Sequence, residues 1–216
     1  MLLRGSGCAY KKCVFCDYHL DKCADVIANY SLNKSVLEKV TGIYSDLEVI
    51  NSGSVFELDC DTLSLIKDVC ARRAIKTLHF EAHYMYRNMI AGLRKQFDGI
   101  DVKMKLGLET FDYDMREKRL AKGIDEHDPS VICRGFDEAN FLFGISGQTV
   151  ESMSDDISLG LKHFERICVN LMCENSTDIK PDRDVISAFM REIYPLYIND
   201  PRVDILVNNT DFGVGD

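Results

Sequence analysis

The chain has 216 residues, a hydrophobic share of 46 %, only 4 prolines and a net charge of −9. Such a composition supports one domain, residues 1–216, with a sizeable core, and argues against a disordered chain. The acidic balance disfavours broad binding to nucleic acid, which needs a basic surface, and the absence of a long apolar run or a signal peptide leads us to expect a soluble, cytoplasmic protein with no membrane partner.

Along the chain, the first feature is a group of thiols. "GCAYKKCVFCDYH" (7–19) spaces Cys8, Cys13 and Cys16 as C-x4-C-x2-C. A helix is expected over 35–45, where Ser35 and Glu38 have capping-box spacing. "LEVINSGS" (47–54) reads as a strand entering a Ser/Gly loop, and residues 61–73 space Leu65, Ile66 and Val69 as a helix does. A strand over 77–83, a helix over 86–97 and an alternating strand over 101–110 follow. "MREKRLAKG" (115–123) reads as a helix stopped by Gly123. The apolar run 139–147 suggests a strand buried on both faces, and Thr149 can cap a helix over 149–164. A strand over 166–174, a helix over 182–197 interrupted near Pro195 and a last strand over 202–212 complete the series.

Repeated β–α units without hairpin signals imply a parallel sheet, either an open barrel or a doubly wound sheet. In both, ligands sit at the carboxyl ends of the strands. There the sequence puts Asn51, Ser52, Gly53, Glu81, His83, Glu109, the segment Gly144–Gln148, Glu174, Asn175 and the segment Asn208–Asp211. Nine cysteines, an odd number, argue against a disulfide framework, and the isolated Cys60, Cys70, Cys133, Cys168 and Cys173 read as core filler. For the clustered thiols three uses stand open. One is a zinc site completed by Cys23 or His19. Another is a ferredoxin-type carrier with a remote fourth Cys, and the last is a [4Fe–4S] cluster with one iron left for a ligand.

Taken in order, the cysteine motif with Phe15 before its last Cys, "NSGS" (51–54), "FEAH" (80–83), "LGLET … KG" (106–110, 122–123) and "FGISGQTVES" (143–152) resemble the radical S-adenosylmethionine (SAM) enzymes. Two departures stand out: the first cysteine gap is one residue longer than the common C-x3-C, and Ser52-Gly53 replaces paired glycines. The resemblance implies an α/β fold, a partial (β/α)6 TIM-like barrel with its cluster loop at 8–16. It also implies a [4Fe–4S] cluster on Cys8, Cys13 and Cys16, and SAM as cofactor. Phe15, Asn51, Ser52, Gly53, Glu81, Glu109, Lys122, Ile145 and Gly147 would then line the cofactor, and a reductant such as flavodoxin or ferredoxin would supply the electron. The compact chain is similar to bacterial queuosine-salvage lyases, which release queuine from queuosine 5′-phosphate. That likeness implies a small nucleoside-like substrate near Glu57, His83, Tyr84, Asn208 and Asp211 (or Asp216), with Lys11, Lys12 or Arg134 on the phosphate. Radical modification of tRNA or a peptide, or a non-catalytic Fe–S or zinc module, are the alternatives.

Overall fold

The structure, a computed structural model, describes residues 1–208. Seven strands follow one another across the sheet in chain order. They are β1 (Leu2–Leu3), β2 (Asp46–Asn51), β3 (Thr77–Ala82), β4 (Asp101–Glu109), β5 (Glu138–Phe143), β6 (Arg166–Leu171) and β7 (Val203–Leu206). The chain divides into two compact units, and β4 contributes to both. The first unit is Met1–Lys11 with Tyr18–Lys105, and the second is Lys12–Asp17 with the residues from Leu106 on.

In the first unit β1 pairs parallel with β2, and β2 with β3, in the register Leu47↔Leu78 and Val49↔Phe80. These apolar residues are buried, as are Ile66, Val69 and Cys70 of α2 (Cys60–Arg72). Asp59 starts α2 by accepting the Thr62 amide at 2.7 Å, a cap worth about 1 kcal/mol. A 3-10 turn over Tyr84–Met89 and the short α3 (Ile90–Gln96) replace the single helix expected over 86–97.

The first helix departs from expectation. α1 spans Val26–Leu37, not 35–45, and Asp25 caps it by accepting the Ala28 amide at 3.0 Å. Ser35 lies inside it and donates its hydroxyl to the Leu32 carbonyl. The buried face of α1 carries the polar Asn29 and Asn33 beside Leu37, while Val26 and Ile27 are exposed. Asn33 exchanges two 2.8 Å hydrogen bonds with the backbone of Arg4, and Asn29 accepts from the Arg4 guanidinium at 2.8 Å. Two asparagines thus fasten α1 to the segment that leads into Cys8.

In the second unit β5, β6 and β7 are parallel, with Phe141↔Val169 and Ile167↔Val203 in register. α5 (Val150–His163), capped by Thr149, packs its Gly160 against Phe141 and Ile167, where a Cβ would stand about 3.0 Å from each side chain. A short α4 (Pro129–Ile132), unmarked in the sequence pattern, precedes β5. The stretch expected as a helix over 115–123 is a π-turn, Asp114–Arg119. The long last helix is broken into α6 (Arg183–Ala188), a π-turn over Phe189–Ile193 and α7 (Tyr194–Tyr197). Pro195 explains the break, because it has no amide to continue an α ladder.

Candidate active site

In the first unit the candidate residues converge on Glu57, which is 8 % exposed. Its carboxylate accepts the Ala9 amide at 2.7 Å, the Ser54 amide at 2.6 Å and the Tyr86 hydroxyl at 3.1 Å. One side chain therefore pins the residue after Cys8 to the loop after β2. That loop needs Gly53: a Cβ there would run into the Glu57 carboxylate and stand 3.2 Å from Cys8 Cα. Asn51 closes the same turn by donating to the Ser54 carbonyl at 3.0 Å, and Ser52 donates to Asp21 at 2.9 Å. Burial pushes the Tyr86 phenol up to about 12, with Glu57 and Cys8 adding to the shift.

His83 follows the end of β3, stacked on Tyr10 at 4.2 Å. Its amide donates to Ser54 Oγ at 2.9 Å, and its Nδ1 accepts the Met85 amide at 3.2 Å. Tyr84 is buried beneath the Arg87 guanidinium, 4.4 Å from its ring centre. Glu81 is half-buried near the end of β3. The Cys23 thiol donates to the Asp25 carbonyl at 3.9 Å. Lys11 is exposed, with a left-handed φ of 56° that a lysine adopts only under constraint.

In the second unit Cys13, Phe15 and Cys16 lie against one apolar cluster formed by Phe15 with Leu120, Leu142, Ile145 and Met172. The loop is tied down by backbone: the Val14 amide donates to Leu120 O at 3.1 Å, and Asn175 donates to Phe15 O at 2.7 Å. Ser176 adds two 3.0 Å hydrogen bonds to Asp17. Asn175 and Ser176 are 160 and 159 residues away from their partners in sequence, so only the strand-end position of Asn175 hinted at them.

Beside the two thiols Lys122 Nζ meets Glu109 Oε1 at 2.7 Å, with both side chains buried, and lies 5.6 Å from the centre of the Phe15 ring. Burial alone would lower the ammonium's pKa. Glu109, reinforced by Cys13 and Cys16, more than reverses that and holds it above its ordinary value. Glu109 takes a left-handed φ of 73° and Ala121, next to Lys122, one of 53°. Such backbone costs energy and persists where surrounding contacts enforce it. Between the two positions in sequence, the fully buried Arg116 guanidinium donates to Thr110 O and Phe111 O at 3.1 Å and to Ile124 O at 3.2 Å.

Ile145 is fully buried, with its amide on Gln148 Oε1 at 3.1 Å, and Gly147 has a φ of 87°. Lys12 and Asn208 are exposed. Arg134 is exposed ahead of β5, at the amino end of that strand and so at the opposite end from Gly144–Gln148. Asp211 and Asp216 lie outside the described residues.

Among the described residues no group of three or more His, Cys, Asp or Glu side chains converges on a single ion position. A [4Fe–4S] cluster asks for something different, one soft thiolate for each ligated iron, and the half-buried thiols of Cys8, Cys13 and Cys16, none of them in a disulfide, have that chemistry. No helix among the described residues is long and apolar enough to cross a membrane.

Strands laid down in chain order, with the thiol loop behind the first and a buried Glu–Lys pair behind the fourth, define an α/β fold of the partial-barrel radical SAM class. A solved queuine lyase from Clostridium spiroforme, bound to SAM and queuine, is 41 % identical, with a TM-score of 0.94 over 100 % of this chain and 93 % of its own. The chain belongs to the queuine lyase family of radical SAM enzymes. Two structures of SuiB from Streptococcus suis share the fold alone. One is 13 % identical with a TM-score of 0.58, the other, bound to S-adenosylmethionine, 12 % identical with a TM-score of 0.53. This chain spans about half of each SuiB chain, 49 % and 46 %. No family model and no curated protein matches the chain.

Proposed function

We propose that the protein releases queuine from queuosine 5′-phosphate in queuosine salvage, by radical SAM chemistry. The observation that carries this reading is the full-length likeness, at 41 % identity, to a queuine lyase bound to SAM and queuine. Cys8, Cys13 and Cys16 would hold a [4Fe–4S] cluster, and flavodoxin or ferredoxin would serve as reductant. When bound, cluster and SAM supply the one-electron cleavage and the abstraction of hydrogen from the substrate ribose that leads to loss of the base.

The chain's own residues orient and enclose these partners. Glu57 holds the backbone after Cys8 in place. Asn51, Ser52 and Gly53 shape the loop that receives the methionine end of SAM, with Glu81 and Glu109 on its amino or ribose groups. Lys122, charged because Glu109 and the thiols keep it so, attracts the SAM carboxylate. Phe15, Ile145 and Gly147 line the adenine, while His83 and Tyr84 flank the substrate.

The test is anaerobic reconstitution, which should load about four irons per chain. Incubation with queuosine 5′-phosphate, SAM and a reductant should then yield free queuine and 5′-deoxyadenosine. Cluster-replete protein that cleaves SAM but releases no queuine would overturn the substrate; protein that takes up one zinc and leaves SAM intact would overturn the whole reading.

A further inference from the structure

β5 and β6 look apolar in sequence, yet the face opposite the one α5 covers is polar. Parallel register puts Glu138 beside Arg166, Asn140 beside Cys168, and Leu142 beside Asn170. Residues two apart along a strand share a face, so all six side chains line one surface. At its amino end Arg166 spans to Glu138 at 3.3 Å and to Asp204 of β7 at 3.4 Å. At its carboxyl end Leu142 joins the apolar cluster against which Cys13 and Cys16 lie.

Between these ends stand Asn140 and Asn170. Both are half-buried, and neither side-chain amide has a hydrogen-bond partner among the described residues. Neither amide is a buried atom without a partner, so both remain open to water or to a ligand, and each offers a donor pair and an acceptor. Asn170 is one strand spacing, about 4.8 Å, from Leu142, and Asn140 one pleat repeat, roughly 6.6 Å, from it. Two unanswered amides therefore lie next to a residue that touches the same cluster as the cysteine loop. A carboxamide matches an edge that carries an acceptor next to a donor, as the lactam and amino groups of a deazaguanine do.

We propose that Asn140 and Asn170 are specificity-determining residues that read the hydrogen-bonding edge of the substrate's deazaguanine base. The proposal rests on the queuine lyase reading. It adds to that reading the part of the sheet that receives the base and the type of contact that selects it. A site whose amides pair with the correct base discriminates against an analogue lacking the matching group, because that hydrogen bond is then lost.

The experiment measures equilibrium binding to the cluster-loaded, SAM-bound protein. Asn140→Leu and Asn170→Leu keep side-chain size and remove the amide. Each should weaken queuine binding by about tenfold or more while the affinity for SAM stays the same. A ligand-side probe needs no variant. Wild-type protein should prefer 7-deazaguanine over 7-deazahypoxanthine, which lacks the amino group, and the preference should shrink in both variants. Wild-type protein that binds the two probes equally, or variants that hold queuine as tightly as wild type does, would overturn the proposal and leave the lyase reading standing. Wild-type protein that binds no queuine at all would overturn the lyase reading itself.

Discussion

Glu57 in the first unit and Glu109 in the second are both buried carboxylates beside cysteines, but they are answered in opposite ways. Glu57 meets only neutral donors, two backbone amides and the Tyr86 phenol. Glu109 meets a full positive charge on Lys122. Amides and a phenol fix a carboxylate in position without changing the net charge around it, so Glu57 suits the task of holding a loop. A lysine adds a movable ammonium to its neighbourhood, and that ammonium can turn to an incoming anion when one binds. The first arrangement is scaffold, while the second stays chemically available.

The largest effect that would test this contrast is at Lys122. Lys122→Met leaves the Glu109 charge buried without compensation and should destabilise the protein by about 3–5 kcal/mol in urea unfolding. The double variant Lys122→Met/Glu109→Leu should recover most of that loss, because the charge needing compensation has gone as well. A single variant as stable as wild type would mean that solvent already answers Glu109, and the contrast would collapse.

Next in size is Glu57. Glu57→Ala strips the acceptor from the Ala9 and Ser54 amides and should cost about 2–3 kcal/mol. Glu57→Gln keeps one acceptor oxygen but turns an amino group toward a donor, so an intermediate loss is expected. Tyr86→Phe removes only the 3.1 Å hydroxyl contact and should cost about 1 kcal/mol. Should Glu57→Ala unfold at the wild-type urea midpoint, the carboxylate would not be the clamp its geometry describes. The Tyr86 phenol, raised to about 12, should also be among the last tyrosines to ionise in an ultraviolet titration.

What could be read in the sequence follows from how local each signal is. The C-x4-C-x2-C spacing, the alternation of strands and helices and the strand-end segments through Glu109 and Lys122 are written in short stretches. The 9-residue strand Asp101–Glu109 differs from its expectation by one residue. α1 was hidden because two of its three buried residues are asparagines and its exposed face includes Ile27, the reverse of the usual pattern, while Ser35 and Glu38 imitate a start signal inside and just after it. The clamp role of Glu57 depends on Ala9, 48 residues earlier, and Tyr86, 29 residues later, so no spacing rule points to it. Asn140 and Asn170 each interrupt an apolar run once, and only the strand register shows that they share a face.

A third carboxylate, Asp156 on α5, extends the comparison through its pH dependence. It is 4 % exposed and accepts the Phe111 amide at 2.7 Å, two residues beyond Glu109. It has neither the direct ion pair of Glu109 nor the three donors of Glu57. Burial pushes its carboxyl up to about 7, opposed only in part by the Phe111 amide and the Thr110 hydroxyl. In the unfolded chain the same group titrates near 3.8. Between those values the folded state holds a proton that the unfolded state has released. The stability linked to Asp156 is therefore full below about pH 4 and is lost as pH rises through about 7, with a slope of at most about 1.4 kcal/mol per pH unit. Asp156→Asn keeps an oxygen for the Phe111 amide and cannot titrate, so its stability should fall less than that of wild type between pH 5 and pH 8. Parallel urea midpoints for the two proteins across that range would show that Asp156 is already ionised in the folded state. Its environment would then resemble that of Glu57, with neutral donors sufficient to hold a buried negative charge.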